Sequence, residues 1–207
     1  MKLIERILDK DNVRIALEKV IANKGAAGID GMKVEELRGY MNANWPGIKQ
    51  SILERSYRPA PVRRVEIPKP NGGVRKLGIP TAVDRTLQQS IVQILTSIFE
   101  TEFQENSYGF RPGRSCEQAV LKLLEYLNEG DEWIVDIDLE RFFDTVDQDR
   151  LINIIMRTIK DGDVVSLIRK YLSAGVMDKG VIKATEKGTP QGGNLSPLLS
   201  NIMLNEL

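Results

Sequence analysis

The chain has 207 residues, 42% of them hydrophobic and 28% charged, with 29 basic residues balancing 29 acidic ones. That length can bury a sizeable core in one or two small domains, and the composition is that of an ordinary globular protein. Histidine is absent and Cys116 is the single cysteine, which excludes intrachain disulfides, zinc sites built on Cys or His, and Ser-His or Cys-His catalysis.

A metal bound here must therefore be held by oxygens, which favours Mg²⁺, Mn²⁺ or Ca²⁺. Apolar runs are interrupted by charge, Gly or Pro well short of the ~18 residues that a membrane helix needs, and the start MKLIERILDK is charged throughout. No membrane partner and a cytoplasmic location are expected. The balanced charge hides a segregation. Residues 55 to 85 hold eight basic and two acidic residues, and residues 131 to 150 hold eight acidic and two basic. A cationic surface beside an acidic one suits a polyanion and a metal, although two solvated faces of opposite sign would read the same way.

In chain order, Val13, Leu17, Val20 and Ile21 recur at helical spacing after Asp11 as a candidate cap, and Gly25 to Gly28 stop the helix. Two further helical patterns, Val34-Leu37-Met41 and Ile48-Ile52-Leu53, precede Tyr57-Arg58-Pro59-Ala60-Pro61, whose prolines force extended backbone. Val62 to Ile79 reads as a β-hairpin around Asn71-Gly72-Gly73, a turn sequence that supplies positive φ. A long helix is predicted over 82–105, then a Gly/Pro loop, YGFRPGRS (108–115), and a helix to about Asn128, with Cys116 expected as a small buried residue of that helix.

Trp133 to Leu139 predicts a short, central, buried strand that leads into FFD (142–144), with helices near 148–159 and 163–173. On such a strand Asp136 and Asp138 share one face. Residues 176 to 187 predict a second hairpin turning at Asp178-Lys179-Gly180, and GTPQGG (188–193) leads into a last helix with Ser196 as N-cap and Pro197 at its first position. Helices outnumber strands without regular alternation, so the class is α+β.

The segments AAGIDG (26–31), YRPAPVRRVEIPKPNGGVRKLGIP (57–80), SYGFRPGRS (107–115), VDIDLERFFDTVD (135–147) and GTPQGGNLSP (188–197) stand in the order and approximate spacing of group II intron reverse transcriptases, and the chain resembles that family over nearly its whole length. The resemblance implies a right-hand polymerase fold. Residues 1–24 would be the N-terminal extension helix, 25–105 the fingers, and 106–207 the end of the fingers and the start of the palm. It also implies RNA-directed DNA synthesis during intron mobility, together with assistance to intron splicing. The implied partners are intron RNA, template RNA, a DNA primer and dNTPs.

Residue by residue, Asp138 matches the first catalytic aspartate, a ligand of both ions of a two-Mg²⁺ site, with the carbonyl of Leu139 as an additional ligand. Phe143 matches the residue that stacks under the incoming sugar and rejects a ribose 2′-hydroxyl. Lys69 and Arg75 match the cations that close on the triphosphate, and Gln191 matches an amide near nucleotide and template. Arg63, Arg64, Lys76, Arg85, Arg111 and Arg114 are candidate RNA contacts. The family's Tyr-x-Asp-Asp hairpin does not occur in the 207 residues, so a piece of a longer protein is expected, one that binds RNA without polymerising.

Two other readings remain. One is a non-catalytic RNA-binding scaffold, and the other is a defence-associated or diversity-generating reverse transcriptase. A homodimer is also expected, either through Leu198, Leu199, Ile202, Met203, Leu204 and Leu207 of the last helix, as an exposed apolar face, or through the early basic helices.

Overall fold

A computed structural model describes residues 1–70, 72–189 and 192–207. Their elements are α1 (Leu3–Ile7), α2 (Lys10–Ala22), α3 (Val34–Leu53), β1 (Val62–Pro68), β2 (Val74–Ile79), α4 (Ala82–Phe99), α5 (Cys116–Glu129), α6 (Phe142–Thr145), α7 (Gln148–Thr158), α8 (Gly162–Leu172), β3 (Val176–Asp178), β4 (Val181–Lys183) and α9 (Ser196–Leu204). The α+β class holds.

Helix α4 is the centre of the fold. Leu87, Ile91 and Leu95 recur every four residues and are at most 1% exposed, so one stripe of the helix lies wholly in the core. Burying each such side chain contributes about 1.5–3 kcal/mol. Helices α1, α2, α3 and α9 pack around this stripe, and α7 and α8 extend the same core through Leu151, Ile155, Val164 and Ile168. Polar contacts fix the docking of α2. The Asn12 amide donates to the carbonyls of Ile7 (2.8 Å) and Ser90 (3.0 Å), and Gln93 Nε2 donates to Asn12 Oδ1 at 2.7 Å. The cap of α2 is Asp9, not Asp11, with Asp9 accepting from the backbone N–H groups of Asp11 and Asn12.

The two patterns on either side of Pro46 are one helix, α3. A proline inside a helix removes one N–H donor. Here the orphaned carbonyl belongs to the exposed Asn42, where water can satisfy it, while Met41 and Ile52 anchor the helix on both sides of the break.

Strands β1 and β2 form the expected hairpin, pairing Arg63 with Ile79 through Pro68 with Val74. Gly72 and Gly73 adopt φ of +85° and +83° at its turn, a region open to glycine at little cost. The second hairpin, β3–β4, also forms and turns at Lys179-Gly180. The two hairpins join into one sheet of order β2-β1-β3-β4, because β3 pairs in parallel with the start of β1 (Val62 with Val176).

Five expectations fail. Residues 131–139 form no strand, and Trp133, Val135 and Ile137 are 91%, 81% and 80% exposed. A strand needs an edge to pair with, and among the described residues no strand pairs with this segment. Helix α5 has an apolar face but buries none of its residues, and Cys116 at its start is exposed. The last helix behaves in the opposite way: Leu198, Leu199 and Ile202 are 6%, 2% and 2% exposed, packed toward α4 and α7, so it offers no exposed apolar face there. Its N-cap is Leu195, one residue before Ser196, and it makes no side-chain cap. Helix α4 also stops at Phe99 rather than near 105.

Candidate nucleotide site

The end of the cationic hairpin faces the acidic segment across a cavity of about 1000 Å³ lined by Lys69, Arg75, Lys76, Asp138, Leu139, Arg141, Phe143 and Asp144, among others. On the hairpin side, the turn is closed by Lys69 N–H donating to the Gly73 carbonyl at 3.1 Å. Arg75 stands in register with Ile67, and Lys76 with Glu66. All three cations are exposed near the tip of a two-stranded ribbon.

The opposite wall is tied to its neighbours by several contacts. Phe143 lies on the single turn α6 and packs edge-on against Phe142, with ring centroids 5.6 Å apart. The chain after it is tied to the start of the GTPQGG segment: Thr189 N–H donates to the Phe143 carbonyl and Gly188 N–H to the Val146 carbonyl, each at 2.7 Å. Gly188 has φ +82°, and a Cβ there would sit 2.5 Å from the Phe143 carbonyl oxygen, so only glycine permits this approach. Gln148 adds a side-chain bond to the Gly188 carbonyl at 2.9 Å. Phe143 is thus fixed from behind and half-buried, with Asp138 and Leu139 exposed beside it.

Four cations, Lys69, Arg75, Lys76 and Arg141, share the cavity with two carboxylates, Asp138 and Asp144. That balance suits a ligand carrying several negative charges, because opposed cations form charge-assisted hydrogen bonds with phosphate oxygens. The metal donors are fewer. Among the described residues no group of three or more Asp, Glu, His or Cys is placed to hold an ion. Mg²⁺ demands near-octahedral oxygen coordination, and the residues present do not complete a site for two of them.

The other predicted contacts divide. Arg64 is half-buried and lines a smaller cavity, about 280 Å³, behind Phe143. Arg114 lies over the Tyr108 ring at 5.5 Å. Arg63 donates twice to the Ala27 carbonyl, at 3.0 and 2.7 Å, and so anchors the AAGIDG loop to the hairpin. Arg85 is 6% exposed beneath Gly25, where a Cβ would clash with it. Arg111 is corrected most clearly. It is 7% exposed, paired with Glu100 at 2.8 Å and bonded to the carbonyls of Gln104 and Ser107, so its fork is consumed in shaping the 100–111 loop. Neither Arg85 nor Arg111 presents a guanidinium to solvent in this arrangement. Gln191 lies outside the described residues.

The sequence reading missed Arg141, whose φ of +52° starts α6, and the Gln88-Gln89 pair on α4. The sign of the latter was two consecutive amides beside the apolar Leu87-Ile91-Leu95 stripe.

Residues 67–207 match the family described as "Reverse transcriptase (RNA-dependent DNA polymerase)". Over 207 residues the chain is 40% identical to the group II intron-encoded protein LtrA of Lactococcus lactis, covering all of this chain and 34% of that protein. It is 37% identical to protein YkfC of Escherichia coli (99% of this chain, 55% of that one) and 32% identical to the putative COX1/OXI3 intron 2 protein of Saccharomyces cerevisiae (100% and 24%). The chain therefore spans about a quarter to a half of the length of these relatives. Its fold resembles part of a solved Cas6-RT-Cas1–Cas2 complex with a TM-score of 0.67 at 22% identity, covering all of this chain and 34% of that one. With the family match over residues 67–207 and relatives of this identity along the whole chain, the chain belongs to the reverse transcriptase family.

Proposed function

We propose that the protein containing this chain is the RNA-directed DNA polymerase of a group II intron, acting in intron mobility and assisting splicing of the intron RNA. The observation that carries this reading is a single cavity where Lys69 and Arg75 face Asp138 and Phe143, although the two pairs are 63 to 74 residues apart in sequence. In that cavity Lys69 and Arg75 bind the triphosphate of an incoming dNTP. Phe143 supports its sugar from below. Asp138 would contribute a carboxylate, and the Leu139 carbonyl an oxygen, to a divalent-metal site that the described residues do not complete. Residues 1–24 and 25–105 act as extension and fingers, and 106–207 as the end of the fingers and the start of the palm.

The test is primer extension by the protein encoded by the complete reading frame, with a DNA primer annealed to an RNA template. Extension that requires both RNA template and dNTPs is expected. A purified, folded protein that extends no primer, with any template, overturns the proposal.

One observation favours a second reading for residues 1–207 by themselves. The exposed hairpin cations are all present while the metal donors are incomplete, which fits RNA binding without synthesis. Such binding should weaken steeply between about 50 and 200 mM salt, as counterion release requires. Salt-independent binding would contradict it.

A further inference from the structure

We propose that Gln88 and Gln89, consecutive residues on the buried half of α4, clamp the Gly192–Leu195 loop against the β1–β2 hairpin and so set the fit of the nascent base pair. The proposal rests on the polymerase reading above. Gln88 is 6% exposed, unusual for an amide, and its Oε1 accepts from the backbone N–H of Leu195, itself 3% exposed, at 3.4 Å. Gln89 Oε1 accepts from the Asn194 amide at 3.0 Å. Neighbouring helix positions point about 100° apart, so the two amides hold the loop from two directions.

The loop is wedged as well as bonded. A Cβ on Gly193 would lie 2.8 Å from Gln88 Oε1, and a Cβ on Gly192, at φ +110°, would lie 2.7 Å from the Gly78 carbonyl oxygen on β2. Gly192 and Gly193 therefore fill the space between α4 and the hairpin with backbone alone. Gly78 pairs with Arg64 in the hairpin that carries Lys69 and Arg75 at its tip. The far end of the segment is fixed to Phe143 through Thr189. Gly188 and Thr189 are thus pinned to the wall under the sugar, and Gly192 to Leu195 to α4. A shift at the α4 end would change the spacing between hairpin and wall. A buried N–H without its acceptor is costly, so without Gln88 the loop should move rather than stay.

Gln88 and Gln89 are positioning residues, and the test separates that role from a merely structural one. In the full-length protein, Gln88→Met keeps the volume but removes the acceptor, Gln89→Leu does the same at a partly exposed position, and Gln89→Glu retains an acceptor. Single-nucleotide extension with matched and mismatched dNTPs gives kcat, KM and discrimination, with thermal melting in parallel. Gln88→Met and Gln89→Leu should each raise KM for the matched dNTP by about tenfold and lower discrimination, with kcat changed less than about threefold, and Gln89→Glu should stay near wild type. Should Gln88→Met fail to fold, Gln89→Leu against Gln89→Glu decides the matter. Unchanged KM and discrimination in folded variants would overturn the clamp alone, as would a fall in melting temperature and kcat at constant KM. A wild-type protein that extends no primer would instead overturn the polymerase reading, and the clamp with it.

Discussion

The Tyr57 hydroxyl donates to Asp84 Oδ1 at 2.7 Å inside the protein, tying the segment before β1 to the first turn of α4. Asp84 is 2% exposed and also accepts from Thr81 Oγ1 (2.7 Å) and the Ala60 N–H (3.1 Å). Burial raises its pKa above the ordinary 3.8, and the three donated hydrogen bonds only partly offset this. The folded state therefore binds a proton more tightly than the unfolded chain. Its contribution to stability is greatest below about pH 3.8 and declines as pH rises toward the raised folded value. Asp84→Asn removes this titration. The stability of wild type relative to Asp84→Asn, from urea melts across pH, should fall above about pH 4 and then level off. A difference that grows with pH would contradict the account.

Arg111 is the hub of the 100–111 loop, so Arg111→Met should destabilise residues 1–207 by about 1–3 kcal/mol, the usual cost of leaving polar partners unpaired, since Arg111 is buried but Glu100 is partly exposed and can rehydrate. Adding Glu100→Gln to Arg111→Met should recover part of the loss. An Arg111→Met variant that melts like wild type yet loses RNA binding would return this side chain to the RNA-contact surface.

Phe143 is fixed from behind by the Thr189 bond and leans on Phe142. Phe143→Ala should therefore admit ribonucleotides, lowering the preference for dNTP over rNTP by about tenfold or more, as when a packed pocket wall is removed. The check is single-nucleotide extension with each sugar in the full-length protein. An unchanged ratio in a folded variant would make Phe143 an ordinary packing residue.

One exposed apolar face of residues 1–207 is on α5, where Val120, Leu121 and Leu124 are 55%, 61% and 47% exposed. A contiguous face of that kind favours association. The chain alone should self-associate in a light-scattering concentration series, and Leu121→Glu with Leu124→Glu should return it to a monomer. Leu199→Glu should unfold it instead, since Leu199 is 2% exposed. A wild-type chain that stays monomeric up to about 100 μM, a typical range for such contacts, would contradict this.

The parts of this fold set by local chemistry were legible in the residues. Asn71-Gly72-Gly73 between Val-rich arms marked the β1–β2 hairpin, and the spacing of Leu87, Ile91 and Leu95 marked α4. The motifs also named four residues, Lys69, Arg75, Asp138 and Phe143, that the fold gathers around one cavity. What failed depended on distant partners. Residues 133–139 have strand chemistry, but strand formation is decided by a neighbouring edge. Pro46 is a strong local stop, overruled because the helix around it is anchored on both sides. The apolar residues of α9 and α5 look alike in sequence, and only the fold determines that one is covered and the other is not. Arg111 carries the same charge as a surface contact, yet its role is fixed by Glu100 and two carbonyls brought together by the loop.

The central claim is that the cavity between Lys69 and Asp138 carries out RNA-templated DNA synthesis. Primer extension on an RNA template by the full-length protein and its Asp138→Asn variant tests it most directly. The variant should remain folded and lose extension by at least about a thousandfold, as the loss of a ligand shared by two metal ions implies. Extension by Asp138→Asn at near the wild-type rate would contradict the assignment.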